Sequence, residues 1–131
     1  MKQILHFFIF IWTLPQSLAG LVLIYMYKLT YRTKYKSAYI YDKFPSEGIS
    51  LGYFILFDDY DNTVTEVDIK HEYGHFIQSL IFGPLYLLVI GVFSELNYRF
   101  GFSKSYYDFW TEKWADKLGG VNTRKYITER K

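Results

Sequence analysis

Two long apolar stretches and a mixed region between them set out the order of elements along the chain. The first stretch covers residues 4–27 and contains no Asp, Glu, Lys or Arg. About 20 helical residues cross the core of a bilayer, so residues 1–29 are predicted to form an N-terminal transmembrane helix, kinked near Pro15. A removed signal peptide is the alternative, but the apolar run continues past the small residues at 18–20 that would suit cleavage.

Short strands and turns are predicted after this stretch. Residues 38–41 and 49–57 are rich in β-prone side chains, and Pro45 and Gly48 supply turn chemistry between them. We therefore predict that the two runs form a β-hairpin. The acidic residues at 58–62 lack the spacing of a calcium-binding loop and are interpreted as a solvated turn.

Two helices are predicted in the second half of the chain. One begins near Thr65 or Asp68, either of which can cap it, and ends or kinks at Pro84. The other covers residues 103–118. The predicted fold class is therefore α+β, with residues 30–131 as one domain after the membrane helix.

Composition excludes several classes of function. Half of the residues are hydrophobic and 22% are aromatic, which is rich for a soluble domain and indicates lipid contact. A net charge of +2 without a basic stripe argues against nucleic acid as a partner. The absence of cysteine excludes disulfides, thiolate metal sites and cysteine nucleophiles, so any metal ligands must be His, Asp or Glu.

Basic residues cluster on one side of the first apolar stretch. Lys2 alone precedes it, and five basic residues follow: Lys28, Arg32, Lys34, Lys36 and Lys43. The positive-inside rule then predicts that the chain after residue 28 is cytoplasmic. A solvated collar of charge is the alternative interpretation.

The strongest chemical signal is the H-E-x-x-H motif formed by His71, Glu72 and His75. Residues four apart share one face of a helix, so His71 and His75 can present two nitrogens to one metal ion. The Glu72 carboxylate can then act as general base towards a metal-bound water. Zinc is the metal that these ligands suit best. His6 lies in the first apolar stretch and is interpreted as a packed or interfacial histidine.

Glu112 and Asp116 are the candidates for completing this site. They are four residues apart on the last predicted helix, so both carboxylates face the same side. Two His and one Glu leave a fourth zinc position open, which is the catalytic arrangement. Glu112 is predicted to be the third ligand, and Asp116 to accept the second N–H of a ligand histidine.

Together these motifs resemble the gluzincin pattern of the integral-membrane CAAX-prenyl-protease and heat-shock-protease family. The resemblance covers H-E-x-x-H at 71–75 and E-x-x-A-D at 112–116. It implies that His71, His75 and Glu112 bind zinc, that Glu72 is the base, and that Asp116 supports a ligand histidine. Longer strings around both motifs resemble small bacterial membrane proteins, which implies the bacterial inner membrane as location.

The resemblance also implies features that the motifs do not contain. The transition-state stabiliser of the family has no clear counterpart, and Tyr106, Tyr107 and Arg124 are the candidates. In zincin proteases an edge strand near the metal binds the substrate backbone, and residues 49–57 are the candidate strand. The family has several membrane helices and a larger catalytic domain, whereas this chain has one predicted span.

Closure of a metal site constrains the second apolar stretch, residues 80–96. A full membrane crossing there would separate His71 and His75 from Glu112. The segment is therefore predicted to dip into the membrane and return, to lie in the interface, or to pack inside a minimal zincin-like domain.

The leading functional hypothesis is a membrane-anchored zinc metallopeptidase acting on peptides or proteins. One alternative is a non-catalytic membrane protein whose structural zinc joins two helices and supports interaction with a protein partner or a second copy. Another is that the motif is coincidental and belongs to an ordinary amphipathic helix.

Overall fold

A computed structural model of the chain describes residues 2–45, 48–101 and 109–121. Within these ranges it has a four-stranded sheet and five α-helices, which confirms the α+β class. The helices are α1 (Lys2–Trp12), α2 (Leu14–Tyr27), α3 (Glu66–Phe82), α4 (Val92–Phe100) and α5 (Trp110–Gly119). The strands are β1 (Thr30–Tyr35), β2 (Ala38–Asp42), β3 (Ile49–Leu51) and β4 (Phe54–Leu56).

The predicted single helix over residues 1–29 is instead two helices, α1 and α2, that meet at an angle of 88°. Pro15 lies in the first turn of α2, where it is tolerated, but its ring and missing N–H interrupt a continuous helix. Thr13 sits at the break and donates its hydroxyl to the carbonyl oxygen of Ile9 at 2.8 Å. The kink expected at Pro15 is therefore a bend of nearly a right angle.

A second bent pair follows the motif helix. α3 ends at Phe82, as predicted from Pro84, and Gly83 adopts a φ of 57°. A 3₁₀ turn (Gly83–Leu85) and a π-helical turn (Leu87–Gly91) then lead into α4, which turns back by 116°. Among the described residues, no single helix is long and apolar enough to cross a membrane, and only the two bent pairs reach that length and composition.

The sheet has the order β1-β2-β4-β3, which differs from the predicted hairpin. β2 pairs with β1 in antiparallel fashion and with β4 in parallel, while β3 and β4 form the antiparallel hairpin. Gly52 divides the predicted long strand because it adopts a φ of 60° and lies against Ser17, where a Cβ would collide. Because β3 is last in the strand order, it is an edge strand.

The core lies on both faces of β4. Phe54 and Leu56 pack with Phe76 of α3 on one face, and Ile55 packs with Ile40 of β2 on the other. All three β4 residues are buried. A strand buried on both faces is a continuous apolar run rather than an alternating one, as residues 53–57 are. This core fixes α3 against the sheet.

Candidate metal centre

The motif helix begins at a capping box. The Thr65 hydroxyl accepts from the backbone N–H of Asp68, and the Asp68 carboxylate accepts from the backbone N–H of Thr65. The negative charges of Glu66 and Asp68 in the first turn also interact favourably with the positive end of the helix dipole. One turn further on, this helix carries the H-E-x-x-H motif.

Two glycines allow α5 to lie directly against α3. A Cβ on Gly74, inside the H-E-x-x-H motif, would collide with the backbone carbonyl of Ala115. A Cβ on Gly119 would likewise collide with the carbonyl of Lys70. Small residues at these two positions therefore bring the backbones together. The close approach is what lets side chains of both helices meet at one point.

The predicted third ligand lies at that point. Glu112 Oε1 is 3.1 Å from His71 Nε2 and 3.0 Å from His75 Nε2. One ligand atom from each of these residues lies within 4.8 Å of the other two, and all three residues are buried. Glu112 lies 37 positions after His75 and 41 positions after His71 in the chain. The fold thus assembles these three residues into a group that could hold a metal ion.

The outer nitrogen of each histidine has an acceptor. His71 Nδ1 lies 2.7 Å from a carboxylate oxygen of Asp116, and His75 Nδ1 lies 2.7 Å from Gln78 Oε1. The Gln78 amide donates to the carbonyl oxygen of Thr111 at 2.9 Å, so its oxygen must face His75. Both Nδ1 atoms are therefore assigned as donors, and each Nε2 keeps its lone pair for a metal.

The second oxygen of Glu112 is held by hydroxyl groups. Ser94 of α4 donates to Oε2 at 2.5 Å, and Thr111 donates to the same atom at 2.9 Å. The two hydroxyls are 2.7 Å apart. One carboxylate oxygen is consequently fixed by α4 and α5, while the other faces the two histidines.

The charge balance of the group fits a cation. Glu112 is 0% exposed, and within the described chain its ion-pair partners are the two histidines. Burial alone would raise the pKa of Glu112, but His75 and His71 outweigh it and hold this pKa far below its ordinary value. Those pairings require protonated imidazoles, whereas histidines that donate only through Nδ1 are neutral and present three converging acceptor atoms with Glu112. In that state a bound metal ion would supply the positive charge that keeps Glu112 ionised.

Glu72 occupies a buried position beside the metal ligands. It is 7% exposed. Burial raises the pKa of Glu72 above its ordinary value, although the neighbouring histidines His71 and His75 oppose this. A Cβ on Gly48 would lie 3.1 Å from Glu72 Oε2, so the start of edge strand β3 adjoins this carboxylate. The predicted base and the predicted substrate strand are therefore neighbours.

Tyr86 is a buried tyrosine next to β3 that the sequence did not indicate as a candidate. It is 4% exposed, and its hydroxyl donates to the carbonyl oxygen of Ser50 in β3 at 3.4 Å. Burial raises the pKa of Tyr86 well above its ordinary value, and the charges of Glu72 and Glu112 raise it further. The phenol is therefore a protonated donor near both carboxylates. The stabiliser candidates Tyr106, Tyr107 and Arg124 lie outside the described residues.

Gln78 and Ser94 were not identified from the sequence as supporting residues, for different reasons. Gln78 lies three positions after His75 on the same helix face, so its role was available from helical spacing. Ser94 reaches Glu112 only because α4 folds back, and no sequence pattern indicates that return. The third histidine, His6, lies with Nδ1 3.2 Å from the Tyr53 hydroxyl.

Comparisons of the chain with protein-family models, with curated proteins and with solved structures found no match.

Proposed function

We propose that the protein is a zinc metallopeptidase that hydrolyses peptide bonds. The observation that carries this proposal is the convergence of His71 Nε2, His75 Nε2 and Glu112 Oε1, with the buried Glu72 carboxylate beside them. Donors of two imidazoles and one carboxylate, without sulfur, suit zinc, and three protein ligands leave a coordination position open. The gluzincin-like spacing of the motifs supports the same conclusion.

The chemistry divides between the metal and the side chains. Bound zinc would act as a Lewis acid and lower the pKa of a water molecule. Glu72 takes a proton from the attacking water and returns it to the leaving amine. Its raised pKa suits a group that must both accept and release a proton near neutral pH. The Tyr86 hydroxyl, protonated and buried, is our candidate donor to the oxyanion that forms at the scissile carbonyl, in exchange for its 3.4 Å bond to the Ser50 carbonyl.

An extended peptide is the substrate class that the sheet supports. β3 pairs with β4 on one side and has no other strand partner in the described chain. A strand edge offers backbone N–H and C=O groups to a peptide, which gives affinity without a requirement for particular side chains. Because Gly48 adjoins Glu72, a peptide along β3 would pass beside the base.

A structural zinc site is the second candidate, and a specific observation favours it. All three ligand residues are at most 6% exposed, and together they join α3 to α5. Closed sites with buried ligands are typical of structural zinc. In that case Glu72 would not be needed for what the protein does.

Parallel measurements of zinc content and peptide hydrolysis separate these candidates. Detergent-purified wild type, Glu72→Gln and Glu112→Ala are compared, with Glu95→Gln as a control because Glu95 is an exposed carboxylate that pairs with Arg99. A mixed peptide library serves as substrate. We expect wild type and Glu95→Gln to retain zinc and turnover, and Glu112→Ala to lose both.

Glu72→Gln decides between catalysis and structure. We expect it to retain zinc while turnover falls about a hundredfold or more, the contribution usual for a general base. Undiminished turnover in Glu72→Gln would overturn the proposed role of the base. Unchanged zinc content in Glu112→Ala would refute the proposed metal site.

A further inference from the structure

We propose that α1 lies flat in one membrane leaflet beneath the domain, together with the tip of the second bent pair, and does not cross the bilayer. The lipid-facing surface comprises the outer face of α1 and the tip between α3 and α4. Its members are Ile4, Phe7, Phe8, Ile11, Ile81, Leu85 and Leu88, each at least half exposed. This inference is independent of the proposed peptidase activity.

The exposure pattern of α1 shows two distinct faces. His6, Ile9 and Phe10 face the domain, where Phe10 stacks on the ring of Tyr53. From Ile4 to Ile11 the opposite face repeats at helical spacing and is apolar. A helix that is hydrophobic all round is normally buried on every side. Protein covers one face of α1, so the other face requires an apolar environment.

Contacts in both halves of α1 hold it against the domain. In the first half of the helix, the backbone carbonyl of His6 accepts from the Tyr53 hydroxyl at 3.3 Å. At its end, the Trp12 indole N–H donates to the carbonyl oxygen of Leu80 at 2.8 Å. Because Tyr53 and Leu80 belong to the same domain as the metal centre, α1 runs along that domain instead of leading away from it. A crossing would require α1 to leave these contacts.

The first bend supplies a hydrogen-bond donor to the second bend. The Gln16 amide donates to the carbonyl oxygen of Gly83 at 2.9 Å. Gln16, Thr13 and Ser17 are all 0% exposed. Irregular backbone at membrane depth is tolerated only where protein covers its hydrogen-bonding groups.

Charge favours lipid over a protein partner as the occupant. No charged side chain occurs from residue 3 to residue 27, whereas protein interfaces normally include polar groups. In the sequence, Lys2 precedes this uncharged segment, and Lys28, Lys34 and Lys36 follow it, all exposed. Such flanking positive charge attracts anionic headgroups.

Single cysteines test the depth of this surface, because the chain has no cysteine of its own. Phe8→Cys and Leu88→Cys probe the outer face of α1 and the tip, and Asn62→Cys in an exposed loop is the control. Each variant carries an environment-sensitive fluorophore and is added to phosphatidylcholine vesicles with and without phosphatidylglycerol. We expect blue-shifted emission and quenching by lipid-attached quenchers at positions 8 and 88 only, more strongly with phosphatidylglycerol.

Side-specific labelling tests whether α1 crosses. In reconstituted vesicles, a membrane-impermeant maleimide should label Gln3→Cys and Asn62→Cys from the same side. Labelling from opposite sides would overturn the proposal. Water-accessible probes at positions 8 and 88, accompanied by a stable dimer in solution, would assign the surface to a second copy and also overturn it.

A charge substitution gives a quantitative measure of the same contact. Phe8 is 63% exposed, so Phe8→Glu should preserve the fold, as circular dichroism can verify. If lipid covers the Phe8 ring, its loss should lower partitioning of the protein into vesicles by about tenfold or more. Unchanged partitioning of Phe8→Glu would contradict lipid contact by α1.

Discussion

At the scale of single residues, the metal centre depends on which nitrogen of each histidine carries the proton. Asp116 and Gln78 accept from the Nδ1 atoms, and this leaves both Nε2 atoms facing Glu112. Gln78 can hold only one orientation because its amide also binds the carbonyl of Thr111. The tautomers are thus set by residues that do not themselves reach the metal position.

Ser94→Ala tests whether the hydroxyl on Glu112 Oε2 positions this ligand. Removal of the donor at 2.5 Å leaves one carboxylate oxygen with Thr111 alone. Loss of such supporting groups weakens metal affinity by about 10–100-fold, which chelator competition with zinc can measure. Ser79→Ala is the matched control, because within the described chain the buried Ser79 hydroxyl has no partner. Equal zinc affinities in the two variants would contradict the role of Ser94.

Tyr86→Phe tests the proposed oxyanion donor. The substitution removes only the hydroxyl, so zinc content should stay unchanged while kcat falls by about a hundredfold or more. Tyr25→Phe is the control, because Tyr25 is 86% exposed. A kcat within twofold of wild type would exclude this role for Tyr86. Loss of zinc in Tyr86→Phe would instead assign it a structural role.

At the scale of elements, the distance between α3 and α5 decides whether a site exists. Gly74→Ala places a methyl group against the carbonyl of Ala115 and must separate the helices. We expect a loss of about 1–3 kcal/mol in the free energy of unfolding and weaker zinc binding. Chemical denaturation and chelator competition measure the two effects.

Gly91→Ala provides the matched control for this substitution. A Cβ at Gly91 would meet Leu87 at 3.7 Å, an ordinary van der Waals distance. Alanine in a helical position is favoured over glycine, so this variant should be as stable as wild type or more stable. Comparable destabilisation by both variants would refute the close-approach argument.

A carboxylate links the sheet to the loop before α3. Asp42 of β2 accepts from the Arg32 guanidinium at 2.7 Å and from the backbone N–H of Tyr60 at 2.9 Å. Burial alone would raise the pKa of Asp42, but these hydrogen bonds outweigh it and lower the pKa below its ordinary value. The resulting stabilisation is present above the unfolded pKa and is lost as pH falls through the lowered folded pKa.

Asp42→Asn tests this contribution. At neutral pH the substitution should cost about 1–3 kcal/mol in the free energy of unfolding, as expected for hydrogen bonds to a charged group. Below the folded pKa of Asp42 the wild-type carboxyl is protonated, so the difference between the two proteins should disappear. Denaturation of both proteins across the acidic pH range measures this difference in the free energy of unfolding. A constant difference at every pH would contradict the assignment.

At the scale of the whole molecule, the candidate metal centre joins parts of the chain that are distant in sequence. A ligand that binds only the folded state stabilises it by mass action, about 2.7 kcal/mol at a hundredfold excess over Kd. Chelation of zinc should therefore lower the Tm of wild type. His75→Ala lacks one ligand, so chelator should leave its Tm unchanged. An equal shift in both proteins would place the stabilising metal elsewhere.

Local patterns predicted the parts of this molecule whose causes are local. The N-cap, predicted at Thr65 or Asp68 and found at Thr65, the stop at Pro84 and the mixed α+β class all follow from a few neighbouring residues. The spacing of Glu112 and Asp116 also predicted that both carboxylates share one helix face, and both contact His71.

Features that depend on distant contacts were not predictable in this way. The division of residues 49–57 depends on the approach of Ser17 to Gly52. The basic segment after α2 contains β1, which forms through its pairing with β2. The right angle between α1 and α2 is stabilised by contacts with Leu80 and Gly83 that no local pattern encodes.

The dependence of both histidines on α5 has a consequence for synthesis of the chain. The ribosome completes His75 37 residues before Glu112, and α5 also supplies Asp116 and the Thr111 carbonyl that orients Gln78. Until α5 emerges, the motif helix has two imidazoles of undefined orientation and no third ligand. In the proposed function, metal capture is therefore a late event in biogenesis, because a ribosome-bound intermediate ending before residue 110 lacks the proposed third ligand, Glu112.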